Sequence, residues 1–261
     1  MSKLSVESIY RHMKEPSRFA LTAHALVTST STLLREAAEH GAPEGTVILA
    51  DGQTAGRGRQ GHSFWSPDGT GLYFSVLLRP LGQAVGALPL TAAAAVAAAR
   101  AIETVSGRQT AIQWVNDIYC DGKKVCGILT EGRLQPQNGT LDHAIVGVGI
   151  NVAEPIGGFP EDIRDRAGAV FTHAEDGVRE RMAAVFLEEL WASYREMAAQ
   201  PFYEEYRRRC LRLGRSVRVL RDGDAVPAQV LDVTDTLALR VRFDDGGVEE
   251  LTSGEVSIRP L

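Results

Sequence analysis

Gly56-Arg57-Gly58-Arg59-Gln60-Gly61-His62-Ser63-Phe64-Trp65-Ser66-Pro67-Asp68-Gly69 is the stretch that decides the fold class. Its first six residues carry the GxGxxG spacing of dinucleotide-binding turns, where glycines let backbone N–H groups approach a pyrophosphate and a helix starts at once. Here the continuation holds Pro67 and turn residues where that helix would begin. The spacing therefore marks a loop and not the first turn of a doubly wound sheet. Asp51 to Gly71 has lost all periodicity and contains six glycines. A loop of about twenty residues is longer than a compact domain normally keeps without a function.

Outward from this loop the pattern is mixed. Ala23 to Val27 reads as a strand, Ser31 to His40 as a helix with Leu33, Leu34, Ala37 and Ala38 at helical spacing and Gly41 as its stop, and Thr46 to Ala50 as a second strand. Downstream, Leu72 to Leu78 is a strand, Leu88 to Val105 a buried helix, and Ala111 to Trp114 a strand. Ile118 to Cys120 and Val125 to Glu131 flank Asp121-Gly122, a strong hairpin signal. His143 to Val152 adds one more strand. A helix from a cap at Asp176 through Ala199 carries the stripe Met182, Val185, Phe186, Leu190, Tyr194 and Met197, and a short helix follows over Phe202 to Leu211. After Gly214 only short strands appear, at Val217 to Leu220, Ala228 to Val233, Ala238 to Phe243 and Val248 to Thr252, punctuated by Asp-Gly turns. The expectation is an α+β fold, a mixed sheet with helices packed on it, over residues 1–212, followed by a small all-β barrel over 213–261. Residues 1 to 20 read as a short lead-in, with no room for a helix-turn-helix.

The 261 residues are 44% hydrophobic and 23% charged, an ordinary globular composition. Net charge is −5, so the surface as a whole does not attract nucleic acid and any anion site must be local. The longest apolar run, Thr91 to Ala101, is too short to cross a bilayer. The N-terminus lacks the layout of a secretory signal. Cys120, Cys126 and Cys210 form no CxxC pair and suit reduced thiols. These features predict a cytoplasmic protein without a membrane segment.

In the glycine-rich loop, Arg57 and Arg59 offer planar forks that match phosphate or carboxylate oxygens, and the glycines permit a cradle of exposed N–H donors. The plain alternative is a surface loop whose arginines meet only solvent. Gln113-Trp114-Val115-Asn116-Asp117 places an amide and a carboxylate just past a strand end, with Lys124 on the next strand. Such a trio beside a phosphate cradle suits nucleotidyl transfer, although Asn-Asp is also a common turn pair and hairpin lysines are usually solvated. GxxxxGK[ST], HExxH and GxSxG are all absent, and the six histidines show no ligand spacing. No metal cluster of the protein's own is expected.

Taken in order, GRGRQG (56 to 61), WVND (114 to 117), KKVCGIL (123 to 129) and VGVGINV (146 to 152) resemble the biotin protein ligase family over roughly Ala23 to Val152. The β-rich tail resembles the family's SH3-like domain. The resemblance implies a catalytic domain similar to class II aminoacyl-tRNA synthetases. It implies that ATP, with Mg²⁺, converts biotin into biotinyl-5′-AMP, and that a lysine of a biotin carboxyl carrier protein domain then takes the biotinyl group. Carried over, Ser29, Thr30, Ser31 and Gln53 would contact the ureido end of biotin. Gly56, Arg57, Gly58 and Arg59 would wrap the carboxylate and α-phosphate, and Lys124 would neutralise the reacting charge while Lys123 points to solvent. Gly127 and Gly149 would let backbone pass close to the ligand, and Asn151 would line the same site. Asn116 and Asp117 would position Mg²⁺ or the incoming amine, so that Lys124, Arg59 and Asp117 form the catalytic set. Loop 51 to 71 would order over the adenylate.

Three departures stand out. Gln113 and Val115 replace a usual basic residue and a usual proline, which predicts weaker phosphate neutralisation and a less rigid turn. Ser31 stands where asparagine is usual. Phe64 and Trp65 both compete to be the aromatic wall. A lipoate ligase or lipoyl transferase, which shares the fold and the lysine, and a non-catalytic biotin-binding regulator are the other readings. DNA binding is not expected, and the family's members are monomers or homodimers.

Overall fold

A computed structural model of the chain describes residues 1–80, 86–135, 140–221, 224–252 and 257–260. Seven strands, β1 (Ala20–Val27), β2 (Thr46–Gln53), β3 (Gly71–Leu78), β4 (Ala111–Gln113), β5 (Asp117–Cys120), β6 (Lys123–Leu134) and β7 (Leu141–Asn151), form one sheet in the order β1-β2-β3-β7-β6-β5-β4. β1 and β2 are parallel and the other neighbours antiparallel. This is the mixed α+β sheet that the sequence predicts.

Alternation along the central strands sorts side chains onto two faces. Leu72, Phe74, Val76 and Leu78 of β3 join Val146, Val148 and Ile150 of β7 in the main core, beneath α3 (Ala87–Ser106) and α4 (Val178–Arg195). Leu77, Ile145 and Ile48 point the other way and pack against Leu34 and Ala38 of α2 (Thr30–Glu39). α2 covers only one end of that second face. By length and composition α3 could cross a membrane, longer than the run Thr91 to Ala101 suggests, but its apolar window is largely buried inside the fold. Its alanines let it approach both the sheet and α4 closely.

The lead-in is more structured than its sequence pattern predicts. Ser5 caps α1 (Val6–Arg11) by accepting from Ser8 N at 3.2 Å, and Leu4, Ile9 and Met13 are buried in the main core. Asp176 does not cap α4. Its carboxylate accepts from Ser2 N at 2.7 Å, and Gly177, at φ 84°, takes the cap position. α4 ends at Arg195, before a 3-10 turn at Met197–Ala199 and α5 (Tyr203–Arg209).

Past α5, β8 (Ser216–Arg221), β9 (Asp224–Val233), β10 (Leu239–Phe243), β11 (Val248–Leu251) and β12 (Ser257–Pro260) form an antiparallel sheet, ordered β11-β10-β9-β8-β12. β12 has no counterpart in the sequence reading, and the Asp-Gly pair at 222–223 lies outside the described residues. Among the described residues the strands form an open row. One cluster of buried side chains runs from the large sheet into the small one, through Val217, Val230 and Leu239.

β2 continues through Gln53, three residues beyond its predicted end, so the loop is 54–70. Both ends of that loop are moored to α4 by one fully buried guanidinium. Arg179, 2% exposed, pairs with Asp51 at 2.8 Å and donates to Gly71 O at 3.1 Å, while Leu4 N donates to Asp51 Oδ1 at 3.1 Å. Removing one partner of a buried pair leaves an uncompensated charge and costs about 3–5 kcal/mol. Asp51→Ala should therefore lower the urea unfolding midpoint by a corresponding amount, and an unchanged midpoint would refute the mooring.

Candidate functional site

On the face opposite α3 and α4, the middle of the large sheet carries glycines where side chains would stand. Gly127 on β6 pairs with Gly149 on β7, and Leu129 pairs with Gly147. Three glycines on one face leave a shallow floor in the centre of a sheet whose other face is filled. Phe64, arriving from loop 54–70, lies on that floor. A Cβ at Gly149 would stand 2.5 Å from the Phe64 ring, and one at Gly127 would stand 3.2 Å from it. Tyr73, the neighbour of Gly149 on β3, meets Phe64 edge to face with centroids 6.4 Å apart. Trp65 turns away, pairs with Phe159 at 5.7 Å and is exposed. Of the two rings, Phe64 is the one that lies on the floor.

One end of the floor is polar. Ser29, Thr30 and Ser31 open α2 and are all buried. Thr30 N donates to Gln53 Oε1 at 2.9 Å, and the hydroxyls of Thr30 and Ser31 lie 2.8 Å and 3.0 Å from Ser75 Oγ. Gln53 in turn donates to Ser66 Oγ at 2.9 Å, and Ser66 donates to Phe64 O at 2.9 Å, so the polar network also fixes the aromatic wall. A Cβ at Gly147 would come within 2.5 Å of Ser31 Oγ. Ser29 Oγ is buried without a hydrogen-bond partner among the described residues. A buried hydroxyl without a partner is costly unless a ligand supplies one.

The other end is charged. Asn116 is held on β6 from both sides, with its Nδ2 donating to Ile128 O at 2.7 Å and its backbone O accepting from Ile128 N at 3.0 Å. Its Oδ1 is left to accept from Arg59 Nη1 at 3.1 Å. One residue on, Asp117 Oδ1 stands 2.7 Å from Lys124 Nζ, an ion contact without hydrogen-bond alignment. Burial pushes the Arg59 pKa down, opposed by the charge of Asp117, and the group stays cationic. A guanidinium and an ammonium thus meet across two consecutive residues, beside the glycine floor. Lys124 Nζ would be 3.4 Å from a Cβ at Gly127, which places the ammonium directly against that floor.

Part of loop 54–70 closes as a hairpin that uses the amides of Gly58, His62 and Phe64. Arg57 bridges Ser63, Gly58 N donates to His62 O at 2.7 Å, and Phe64 N donates to Gly56 O at 2.9 Å. The glycines serve the hairpin: a Cβ at Gly56 would meet Phe64 O at 2.3 Å. The Gly58 amide is used within the hairpin and is not free to meet an anion. Arg57 pairs with Glu131 at 2.8 Å on the surface. Lys123 does not point only to solvent, since its ammonium donates to the Arg164 carbonyl at 3.2 Å and also to that of Asp165. Asn151 donates to Gly168 O at 2.9 Å and ties the following segment to the end of β7.

Ser29, Thr30, Ser31, Gln53, Gly56, Phe64, Gly127 and Gly149 are thus gathered around one floor, with Arg59, Asn116, Asp117 and Lys124 at its charged edge. Sequence reasoning missed Ser75, Ser66, Gly147 and Glu131. Ser75 carries a signal, as a polar residue inside the apolar run Gly71–Leu78, and Gly147 shares the alternation of Gly149. The three cysteines are buried free thiols, as expected, and burial pushes Cys120 up to about 11.

Residues 23–151 match the Biotin/lipoate A/B protein ligase family. The bifunctional ligase/repressor BirA of Bacillus subtilis is 32% identical over 243 residues, covering 91% of this chain and 74% of that protein. The biotin--[acetyl-CoA-carboxylase] ligase of Mycobacterium tuberculosis is 33% identical over 230 residues, covering 84% of this chain and 81% of that protein. Among solved structures, biotin protein ligase from Aquifex aeolicus in complex with biotin and ATP has a TM-score of 0.78 and 29% identity, covering 92% of this chain and 99% of that one.

The floor can be tested without any ligand. Gly149→Ala should destabilise the fold by about 1–3 kcal/mol through overpacking against Phe64. The same change in a Phe64→Ala background should cost clearly less, as contacting residues are not additive. Equal costs in both backgrounds, measured by denaturant unfolding, would mean that the ring does not rest on the floor.

Proposed function

This chain belongs to the biotin protein ligase family, and from that premise we propose that it condenses biotin with ATP to biotinyl-5′-AMP and transfers the biotinyl group to a lysine of a carrier protein. The observation that carries the proposal is the convergence of Arg59 and Lys124, through Asn116 and Asp117, at the edge of a glycine floor roofed by Phe64.

A carboxylate is a poor acyl donor, so its oxygen must first attack the α-phosphorus, with pyrophosphate leaving. Ser29, Thr30, Ser31 and Gln53 would then bind the ureido group, and the unpartnered Ser29 hydroxyl supports that use. Phe64 would cover the hydrocarbon part of biotin and keep water away from the anhydride. Lys124 would balance charge on the carboxylate and phosphate as they meet, in place of its resting contact with Asp117. Arg59, and Arg57 once released from its exposed pair with Glu131, would hold the adenylate from above. An exposed pair of that kind costs little to break. Asn151 would brace the far end. Loop 54–70 would close over the intermediate and reopen for the carrier.

Magnesium enters only with ATP. Among the described residues no group of three His, Cys, Asp or Glu could hold a metal, so no resident ion is assigned. Asp117, with its neighbour Asn116, would help position an ion bound to phosphates or the incoming amine. The biotin carboxyl carrier protein domain of a carboxylase is the proposed partner, which the name of the mycobacterial relative supports. The cytoplasm is the proposed compartment, which the three free thiols support. Residues 213–261 would form a small SH3-like barrel, a second domain that shares its core with the first.

Biotin-dependent exchange of labelled pyrophosphate into ATP tests the reading directly. Exchange with lipoate or octanoate in place of biotin would move the substrate to the other branch named in the matched family. Lys124→Ala should reduce exchange about 100- to 1,000-fold, on the order of 3 kcal/mol in the barrier. A loss below about tenfold would remove the ammonium from the chemistry. Arg59→Gly should release adenylate, so that bystander proteins are biotinylated on scattered lysines when mixed with the enzyme. Labelling that stays confined to the carrier, read by mass spectrometry, would exclude a retaining role for Arg59.

A further inference from the structure

Beyond β4 the large sheet has one more layer. Cys210 bridges Ile112 in parallel, and Leu211 N donates to Ile112 O at 2.8 Å, so the segment after α5 runs along the outer edge of β4. Arg212 leaves that segment and reaches back, donating from Nε and Nη2 to Gln113 Oε1 at 3.4 Å and 3.3 Å. Gln113 pairs with Asp117, Asp117 pairs with Gly127, and Gly127 pairs with Gly149. Cross-strand partners project from the same face of a sheet. Ile112, Ile118 and Cys120 alternate onto the buried helical face. The row Gly149, Gly127, Asp117, Gln113 therefore crosses the open face in a line, ending at Arg212. Neighbouring strands stand about 4.8 Å apart, so Gln113 with its bound guanidinium lies roughly one strand spacing from the Asp117–Lys124 pair.

Arg212 is half-buried. Among the described residues it forms no ion pair, whereas Arg207 and Arg209, on either side of Arg208 in α5, pair with Asp232 at 2.6 Å and with Glu103 at 2.5 Å. Its hydrogen bonds to Gln113 are long, and an amide oxygen offers no countercharge. Tyr119, which shares the open face, is pushed up by burial and by Asp117, while Arg212 and Arg166 pull it the other way. Arg166 also has no ion pair among the described residues, and its carbonyl accepts from Lys124 N at 2.8 Å. Two guanidinium groups that form no ion pair among the described residues thus act on Tyr119, the cross-strand partner of Lys124.

We propose that Arg212, assisted by Arg166, binds the β- and γ-phosphates of the nucleotide and takes up the charge of the departing pyrophosphate. The assignment rests on the ligase reading, in which the carboxylate lies over the floor and the α-phosphate at Lys124. An oxygen of the carboxylate then forms the new bond to the α-phosphorus, and the bond from that phosphorus to the bridging oxygen breaks. The electron pair goes to the bridging oxygen, so negative charge builds on the pyrophosphate, away from the floor. A cation placed there favours the leaving group and has no part in the second half-reaction, when the amine displaces AMP.

That asymmetry supplies the test. In the 261-residue chain, Arg212→Gln and Arg212→Lys are compared with the unaltered protein in three measurements: calorimetric binding of inorganic pyrophosphate, pyrophosphate exchange, and single-turnover transfer from preformed biotinyl-5′-AMP to the carrier. Loss of one charge-assisted contact should weaken pyrophosphate binding by about 10- to 100-fold in Arg212→Gln, with partial recovery in Arg212→Lys. Exchange should fall in parallel, and transfer from the preformed adenylate should hold its rate. Unchanged pyrophosphate binding, or an equal loss in exchange and transfer, would overturn the assignment. If the unaltered chain performs no exchange with biotin yet binds pyrophosphate through Arg212, the ligase reading fails and the anion site stands.

Discussion

A sheet covered on one face by helices must do something with its other face, and here the central strands leave it bare at Gly127, Gly147 and Gly149. The absence of three side chains is the constraint on which the site depends. A methyl group at Gly149 would overlap the Phe64 ring, and one at Gly147 would overlap the Ser31 hydroxyl. The aromatic wall and the serine-threonine cluster can approach the backbone only because nothing projects from it. α2 covers the outer end of the same face through Leu34 and Ala38, so the floor is closed at one end and open toward β5 and β4. Depth in this site comes from missing atoms, and specificity from the few polar groups around its rim.

The charged end is pre-arranged by partners that a ligand can replace. Asn116 is pinned by two hydrogen bonds to Ile128 and presents its remaining oxygen to Arg59, while Asp117 faces Lys124. Each cation has a resting partner at the edge of the floor, so neither is left bare in a partly buried place. Under the proposed function, an arriving anion would compete with the Asn116 amide for Arg59 and with the Asp117 carboxylate for Lys124. In loop 54–70 the amides of Gly58, His62 and Phe64 are bonded within the hairpin.

Periodicity made the long elements legible. The alanine-rich α3, the stripe of α4 and the Asp121-Gly122 hairpin, whose two turn residues have φ 46° and 75°, follow directly from local pattern. Features set by distant partners were not legible. α1 is too short to show a period, and it is held by the burial of Leu4, Ile9 and Met13. Asp176 has the composition of a cap but is drawn to Ser2, and β2 extends past Ala50 because Asp51 is claimed by Arg179. The motifs located the site, yet the choice of Phe64 over Trp65 required the glycine floor, and the use of the Gly58 amide required the hairpin. The absence of a basic residue at Gln113 implied weaker phosphate neutralisation. In space, the guanidinium of Arg212 is brought to that very side chain from almost a hundred positions away, at a separation of 99 residues.

The segment that carries Asn116 and Asp117 is also gripped from behind. The Trp114 indole donates to Leu237 O at 3.0 Å, in the connection between β9 and β10, and the Tyr206 hydroxyl of α5 donates to Val115 O at 2.9 Å. Both groups are buried, so neither bond is exchanged for water without cost. The small sheet and α5 therefore fix the two residues immediately before the pair that organises Arg59 and Lys124. Because the buried cluster is continuous from one sheet to the other, a displacement of the 234–238 turn must move Trp114 or break its bond. Asn116, two residues on, is held on β6 by two hydrogen bonds and accepts a third from Arg59. The tail is in this sense part of the site's scaffold, because it holds the backbone that leads into Asn116 and Asp117.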